Sequence, residues 1–358
     1  MEPVVRKHLA SLDGLRGVAA LAVAAKHFQN LSGFHLHVQQ ASMAVDLFFV
    51  LSGYVIARAY EQRLADDLSV GRYMIMRVQR LYPAIFGALV LALLLRLAFH
   101  GLVVPQMAMQ FVLLPVIFGP ALFGGELFPL DGPQWSLFWE LIVNGVHASV
   151  VRWLTIPRIV TILAISAIGL LAACAQWGWL DVGWTRRTLW YAAPRATYGF
   201  FMGVLIYRLN QRGWSAPKVP YPVIVGALAL CMVRWSSDPS VFWMSDLALA
   251  LVVLPGLVAL ATASEVPAML VKPAIWLGAI SYPLYAVHVP LLRGFRWLLM
   301  SHPPLPLPER IAAWVLAVVA TIAFAGLYEH YYDAPIRAFL ARRRARVARS
   351  KLELLAAV

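Results

Sequence analysis

The sequence predicts an all-α polytopic membrane protein with about ten transmembrane helices and both termini cytoplasmic. Three observations carry that expectation. Hydrophobic residues make up 61% of the 358 and charged residues only 13%, with a mean hydropathy of +0.72, a balance too apolar for a water-soluble domain. The apolar residues gather into segments close to the length that crosses a bilayer. Lys and Arg crowd into alternate connections and leave the others bare, the pattern left by retention of cations on the cytoplasmic side.

The expected spans are residues 12–31, 43–60, 83–100, 137–152, 157–175, 190–208, 220–235, 240–262, 274–296 and 310–332. Several fall short of the roughly 20 residues that a crossing helix needs, so their ends are soft by a few residues. The stretch 105–123, interrupted by Pro115 and Pro120, reads as a re-entrant or interfacial segment. Arg6 and Lys7 precede the first span, and Arg58, Arg63, Arg72, Arg77 and Arg80 lie between the second and third. Arg152 and Arg158 join the fourth to the fifth, Arg208, Arg212 and Lys218 follow the sixth, and seven more cations fill 337–351. Loops 32–42 and 101–136 contain no Lys or Arg and are placed outside. Arg186, Arg187, Arg234 and Arg310 are exceptions to the pattern.

This distribution accounts for the net charge of +13 without nucleic acid. The Arg-rich tail reads as a stop anchor that contacts anionic membrane lipids. Cys174 and Cys231 sit inside apolar runs and read as packed thiols. The first apolar run carries Arg16, Lys26 and His27 and lacks a small-residue cleavage site, so it reads as a retained helix and not a signal peptide. Pro303-Pro304-Leu305-Pro306-Leu307-Pro308 reads as a stiff outer loop.

Ionisable groups within spans are costly and mark candidate sites. In the first span Arg16 and His27 stand eleven positions apart, three helical turns plus about 20°, so they share a face at an axial separation of about 16 Å. Each also has a plain structural reading, Arg16 as a cation snorkelling to headgroups and His27 as a hydrogen-bonded structural imidazole. Asp46 opens V-D-L-F-F-V-L-S-G-Y in the second span as a helix cap or a site residue. Arg77 and Arg80 in R-V-Q-R-L-Y-P lie three apart, a spacing that suits phosphate oxygens and equally fits ordinary charge retention.

In Q-W-S-L-F-W-E, Glu140 is expected one turn inside the outer end of the fourth span. His27 lies at comparable depth, so this carboxylate is placed to hold one imidazole nitrogen and leave the other free to take a proton. Trp135 and Trp139 read as interfacial anchors. In S-Y-P-L-Y-A-V-H, Tyr285 and His288 share a face of the ninth span, either as site groups or as helix-packing polar contacts. No ligand spacing of a zinc site, no G-x-S-x-G and no Gly-rich phosphate loop is present, so no metal is expected and hydrolase and P-loop readings lack support.

Together, L-D-G-L-R-G-V-A-A with its following His27, V-D-L-F-F-V-L-S-G-Y, R-V-Q-R-L-Y-P, W-S-L-F-W-E and S-Y-P-L-Y-A-V-H resemble, in order and over nearly the whole chain, acyltransferase family 3 of integral membrane O-acyltransferases. Tyr332-Asp333-Ala334-Pro335 is similar to a loose form of that family's closing E-x-P element. The resemblance implies about ten helices in a bacterial inner (plasma) membrane. It also implies transfer of an acyl group, often acetyl, from cytoplasmic acyl-CoA to a hydroxyl of a sugar or other acceptor. Residues 1–336 then form one transmembrane acyltransferase domain and 337–358 a basic cytoplasmic tail. By position, the family's Arg and His pair falls on Arg16 and His27, its RxxR pair on Arg77 and Arg80, and its Trp, Ser and Glu on Trp135, Ser136 and Glu140. Lys26 departs from the apolar residue common before the histidine, and no esterase-like domain follows the last span, so a handoff to such a domain in this chain is not expected.

The resulting expectation places Arg77, Arg80 and Arg16 on the CoA phosphates and makes His27 the general base or acyl carrier, oriented by Glu140. Asp46, Ser136, Tyr285 and His288 give polar support. The acceptor is a cell-surface or exported glycan or a glycoside. The competing expectation is a transporter or flippase for a glycan or small anion, with Arg16, His27 and Glu140 as an ion relay.

Overall fold

In the computed structural model the backbone is described for residues 9–99, 101, 105–117, 125–236 and 238–356, and side chains as far as 347. Arg6, Lys7 and Pro120, invoked above, lie outside the described residues. Among the described residues the regular structure is helical. Its α-helices are α1 Ala10–Ser32, α2 Ala44–Asp66, α3 Val70–Phe99, α4 Gln134–Val150, α5 Ile156–Trp177, α6 Ala192–Gln211, α7 Tyr221–Cys231, α8 Phe242–Ala248, α9 Leu254–Ala263, α10 Ala268–Met300, α11 Leu307–Tyr328 and α12 Ala334–Ala356. A helix overlaps each expected span, and 6 helical runs among the described residues are long and apolar enough to cross a membrane. Val160, Ile165, Ile168 and Leu171 of α5 and Ile311, Val315, Leu316 and Val319 of α11 are exposed, an apolar surface suited to lipid and not to water.

The centre of the bundle is α1 against α10. A Cβ added to Gly17 would fall 2.4 Å from Leu277 Cβ, and one added to Gly278 would fall 2.4 Å from Asp13 Cβ. Only glycine permits this approach, the small-residue packing that replaces the hydrophobic effect where the solvent is itself apolar. The pairs Asp13 with Gly278 and His27 with His288 show that the two helices run parallel. The end of the bundle near Arg16, Arg77 and Arg80 is called the arginine end below.

Helix ends differ from the expected ones where polarity and helicity part company. The third span is expected from 83, yet α3 starts at Val70, because V-G-R-Y-M-I-M-R-V-Q-R is helical but too charged to count as apolar. The run Pro239–Ala263 is divided by a π-helical turn at Leu249–Val253. Pro255 has no N–H to give the carbonyl of Leu251, which accepts instead from the Tyr198 hydroxyl at 2.9 Å. After α11 a second π-helical turn, Glu329–Asp333, leads into α12. Arg337 spans that turn, bonding Glu329 at 2.5 Å and Asp333 at 2.8 Å. The basic tail therefore continues the last helical run, and Arg344 ties it to Gln79 of α3 at 2.5 Å.

The connection before α4 decides the depth of the site. Pro105–Val112 forms a 3-10 helix in the described part of the segment expected to be re-entrant or interfacial. Its fully buried Gln110 accepts from the Leu130 N–H at 3.1 Å, and its carbonyl accepts from the Gln134 side chain at 2.8 Å. Arg293 of α10 donates to the Pro129 carbonyl at 3.0 Å and pairs with Glu126 at 3.1 Å. These bonds draw residues 126–133 into the bundle, so α4 begins level with Tyr285 and runs toward the arginine end.

Candidate active site

The shared face of α1 is built as the spacing requires, with a different partner at each end. Arg16 donates through Nε to Ser281 Oγ at 2.9 Å, and through Nη2 to Asp13 at 2.9 Å and to the Gly278 carbonyl at 2.7 Å. A guanidinium held by three acceptors is fixed in direction. Eleven residues along the helix, the His27 ring lies 5.1 Å, centroid to centroid, from that of His288 on α10.

Arg16 lines a cavity of about 390 Å3 that also takes in Arg58, Arg77, Arg80, Asp13, Ser52, Glu140 and Tyr282. Four arginines face two carboxylates there, leaving a positive excess suited to a polyanion. Arg77 pairs with Glu140 at 3.0 Å, and Ser52 donates to the same carboxylate oxygen at 2.9 Å. The Tyr282 hydroxyl donates to the Leu81 carbonyl at 2.7 Å and fastens α10 to α3. At the deep end stand Phe48, Ser136 and Tyr285. The Ser136 and Tyr285 hydroxyls lie 2.7 Å apart, and the Phe48 ring meets the Tyr285 ring edge-on at 5.6 Å. His288 comes next, its ring 5.8 Å from that of Tyr285. His27 therefore lies beyond the closed end of the cavity and does not line it.

This arrangement corrects the expected pairing of Glu140 with His27. That pairing assumed that α4 starts at the outer surface. The inward fold of 126–133 starts it midway, and Glu140 comes level with Arg16 and Arg77 at the arginine end. Its carboxylate is committed to Arg77 and Ser52. The ring beside His27 belongs to His288.

Asp46 also lies elsewhere than a polar supporting role would place it. Arg195 of α6 grips it with Nε at 3.2 Å and Nη2 at 2.6 Å, donates to the Val182 carbonyl at 2.7 Å, and stacks over Trp135 at 5.2 Å. Both partners are buried, and the pair braces α2 against α6. Trp135 and Trp139 are buried as well and do not lie at an interface. Lys26 bonds Asp181, in the connection between α5 and α6, at 2.5 Å.

Sequence reasoning missed Ser52, Arg58, Ser281 and Arg195. Ser52 and Ser281 were inside the motifs quoted above, at 52 in F-F-V-L-S-G and at 281 in S-Y-P, and their helical faces would have pointed to them. Arg195, like Arg96, Asp246 and Arg293, was a charge within an expected span that went unread, and an intramembrane charge is a signal by itself.

The family model for an acyltransferase domain, that of acyltransferase 3, matches residues 9–330. The match ends before Tyr332-Asp333-Ala334-Pro335. The chain is 37% identical over 189 residues to "Protein 2 in picA locus" of Rhizobium radiobacter, covering 46% of this chain and 94% of that one. It is 25% identical over 370 residues to the peptidoglycan O-acetyltransferase OatA of Listeria monocytogenes, covering 93% of this chain. The chain spans 56% of the length of OatA. No solved structure matches it. With the ordered motifs gathered around one arginine-lined cavity in an apolar helical bundle, the family match identifies the chain as an integral membrane protein of the acyltransferase 3 family.

Proposed function

We propose that the protein is an O-acyltransferase that moves an acyl group, acetyl foremost, from cytoplasmic acyl-CoA to a hydroxyl of a cell-surface or exported glycan. It does so across an inner (plasma) membrane spanned ten times, with both termini cytoplasmic. The observation that carries this reading is the cavity itself: four arginines gathered at one end of α1, with His27 farther along the same helix, past the cavity's closed end. The likeness to the Listeria peptidoglycan O-acetyltransferase supports acetyl as the group and a glycan as the acceptor.

Arg77, Arg80 and Arg16, joined by Arg58, grip the donor's phosphates, and the pantetheine arm runs inward along α1. The roughly 16 Å between Arg16 and His27 is of the order of that arm's length. Glu140 acts on the donor side, as the counter-ion that holds Arg77 in place before phosphate arrives. For the thioester to reach His27, the contact between Ser136 and Tyr285 must part. His27 then takes the proton of the acceptor hydroxyl as its oxygen bonds the thioester carbon. The C–S bond breaks, and the proton passes to the departing sulfur, giving the ester and free CoA thiol.

Incubation of membranes with labelled acetyl-CoA and extracted envelope glycans tests the reading. Label is expected in glycan with wild type and not with His27→Ala, and full activity of that variant sinks the assignment. Arg77→Ala with Arg80→Ala removes charge-assisted hydrogen bonds worth about 1.5–3 kcal/mol each. The KM for acetyl-CoA is expected to rise at least about tenfold. Glycan flux that needs no acyl donor would instead establish the transporter.

A further inference from the structure

We propose that His288 is the positioning residue of His27, a neutral imidazole whose unprotonated Nε2 accepts the N–H of the His27 ring and so selects the nitrogen left free to take a proton. The inference rests on the acyl-transfer reading above and names the group that replaces a carboxylate in it.

The tautomer of His288 follows from its own helix. Nδ1 lies 2.9 Å from the Leu284 carbonyl, which can only accept, so Nδ1 carries the proton and Nε2 is an acceptor. His288 is fully buried, and its Nε2 has no partner among the described residues. A buried acceptor without a donor is costly, so such a group calls for an explanation. The neighbouring donors are already committed. The Tyr285 hydroxyl is engaged with Ser136 and with the Pro133 carbonyl at 3.2 Å. Lys26 on α1 is bound to Asp181, and Arg293, farther along α10, to Glu126 and the Pro129 carbonyl. The His27 ring makes no hydrogen bond among the described residues and stands 5.1 Å from the His288 ring. Its N–H is the donor that matches the orphaned acceptor. Catalytic hydrogen bonds are often long before substrate binds and tighten in the complex.

The chemistry favours an imidazole here. When His27 takes the hydroxyl proton at one nitrogen, it becomes a cation that donates through the other, and Nε2 of His288 receives that bond. An ionised carboxylate at this depth would carry the cost of a buried charge throughout the cycle, whereas a neutral ring does not. Leu284, whose carbonyl fixes the His288 ring, lies on α10, one residue after Pro283.

The test uses the full chain in lipid nanodiscs with 15N-labelled histidine, the His27 signal being assigned by its loss in His27→Asn. Wild type is expected to show one neutral tautomer of His27, and His288→Leu both. His288→Gln, whose side-chain oxygen offers an acceptor near the same place, is expected to restore one. The same tautomer population in wild type and His288→Leu overturns the proposal. In transfer assays, His288→Leu is expected to lower kcat by about tenfold or more, with the KM for acetyl-CoA within about twofold. His288→Gln should keep more activity than His288→Leu, and the reverse order marks a packing role and overturns the proposal. Absence of transfer in wild type would defeat the acyl-transfer reading alone, since the tautomer populations are read without turnover.

Discussion

Asp46 and Arg195 show how one charge in an apolar span acquires a structural duty. Their pair is buried, doubly bonded and braced by the Val182 carbonyl and the Trp135 ring. Removing one member strands the other without solvent, at a cost of about 3–5 kcal/mol. Arg195→Met is therefore expected to lower the midpoint of thermal unfolding in detergent sharply, and Asp46→Leu added to it should recover most of the loss. If the two losses instead add, the pair is not the unit described. Arg16, Glu140 and Tyr285 were legible in the sequence as candidates because a charge or hydroxyl inside an apolar span stands out whatever its partner, Arg77 and Arg80 by their spacing and Ser136 by the family resemblance, and one cavity gathers all six. Their partners were not legible. Asp181 meets Lys26 across 155 positions and from a loop, and no periodicity relates them. The pairing of Glu140 required the starting depth of α4, which the apolar pattern alone leaves open.

At the scale of elements, the contact of α1 with α10 sets the frame in which both ends of the site are measured. Gly17 brings the two backbones together, and a side chain there forces them apart. Gly17→Leu is expected to cost about 1–3 kcal/mol by overpacking and to depress acyl transfer beyond any change in donor KM. Activity and melting temperature at wild-type values would show that the helices yield. The positions of the helices were legible because hydrophobic runs of the right length have few alternatives. The ends were less so: α3 extends 13 residues before the expected 83, through a charged but helical stretch. The inward connection before α4 rests on Gln110 and Arg293, single side chains whose reach no composition reveals.

For the whole molecule, the proposed orientation is open to direct measurement once Cys174 and Cys231, both free thiols, are replaced. Ser215→Cys, in the exposed connection after α6, is expected to react with an impermeant maleimide only in opened cells. His35→Cys, exposed after α1, should react in intact ones. The opposite pattern would reverse the direction of transfer.

The contact between Ser136 and Tyr285 has an electrical meaning for such a molecule. A membrane that stores a voltage tolerates no continuous wet path, and a cavity open at one end brings water well into the barrier. The Ser136 and Tyr285 hydroxyls and the Phe48 ring line one end of the cavity, and Phe28, Phe295 and Trp314 cluster beside the far part of α1. A barrier closed at that contact places the potential drop across the segment that holds His27 and His288. In the proposed reaction the acyl group in transit, being uncharged, does no work against that field, while the donor's phosphates stay with the arginines.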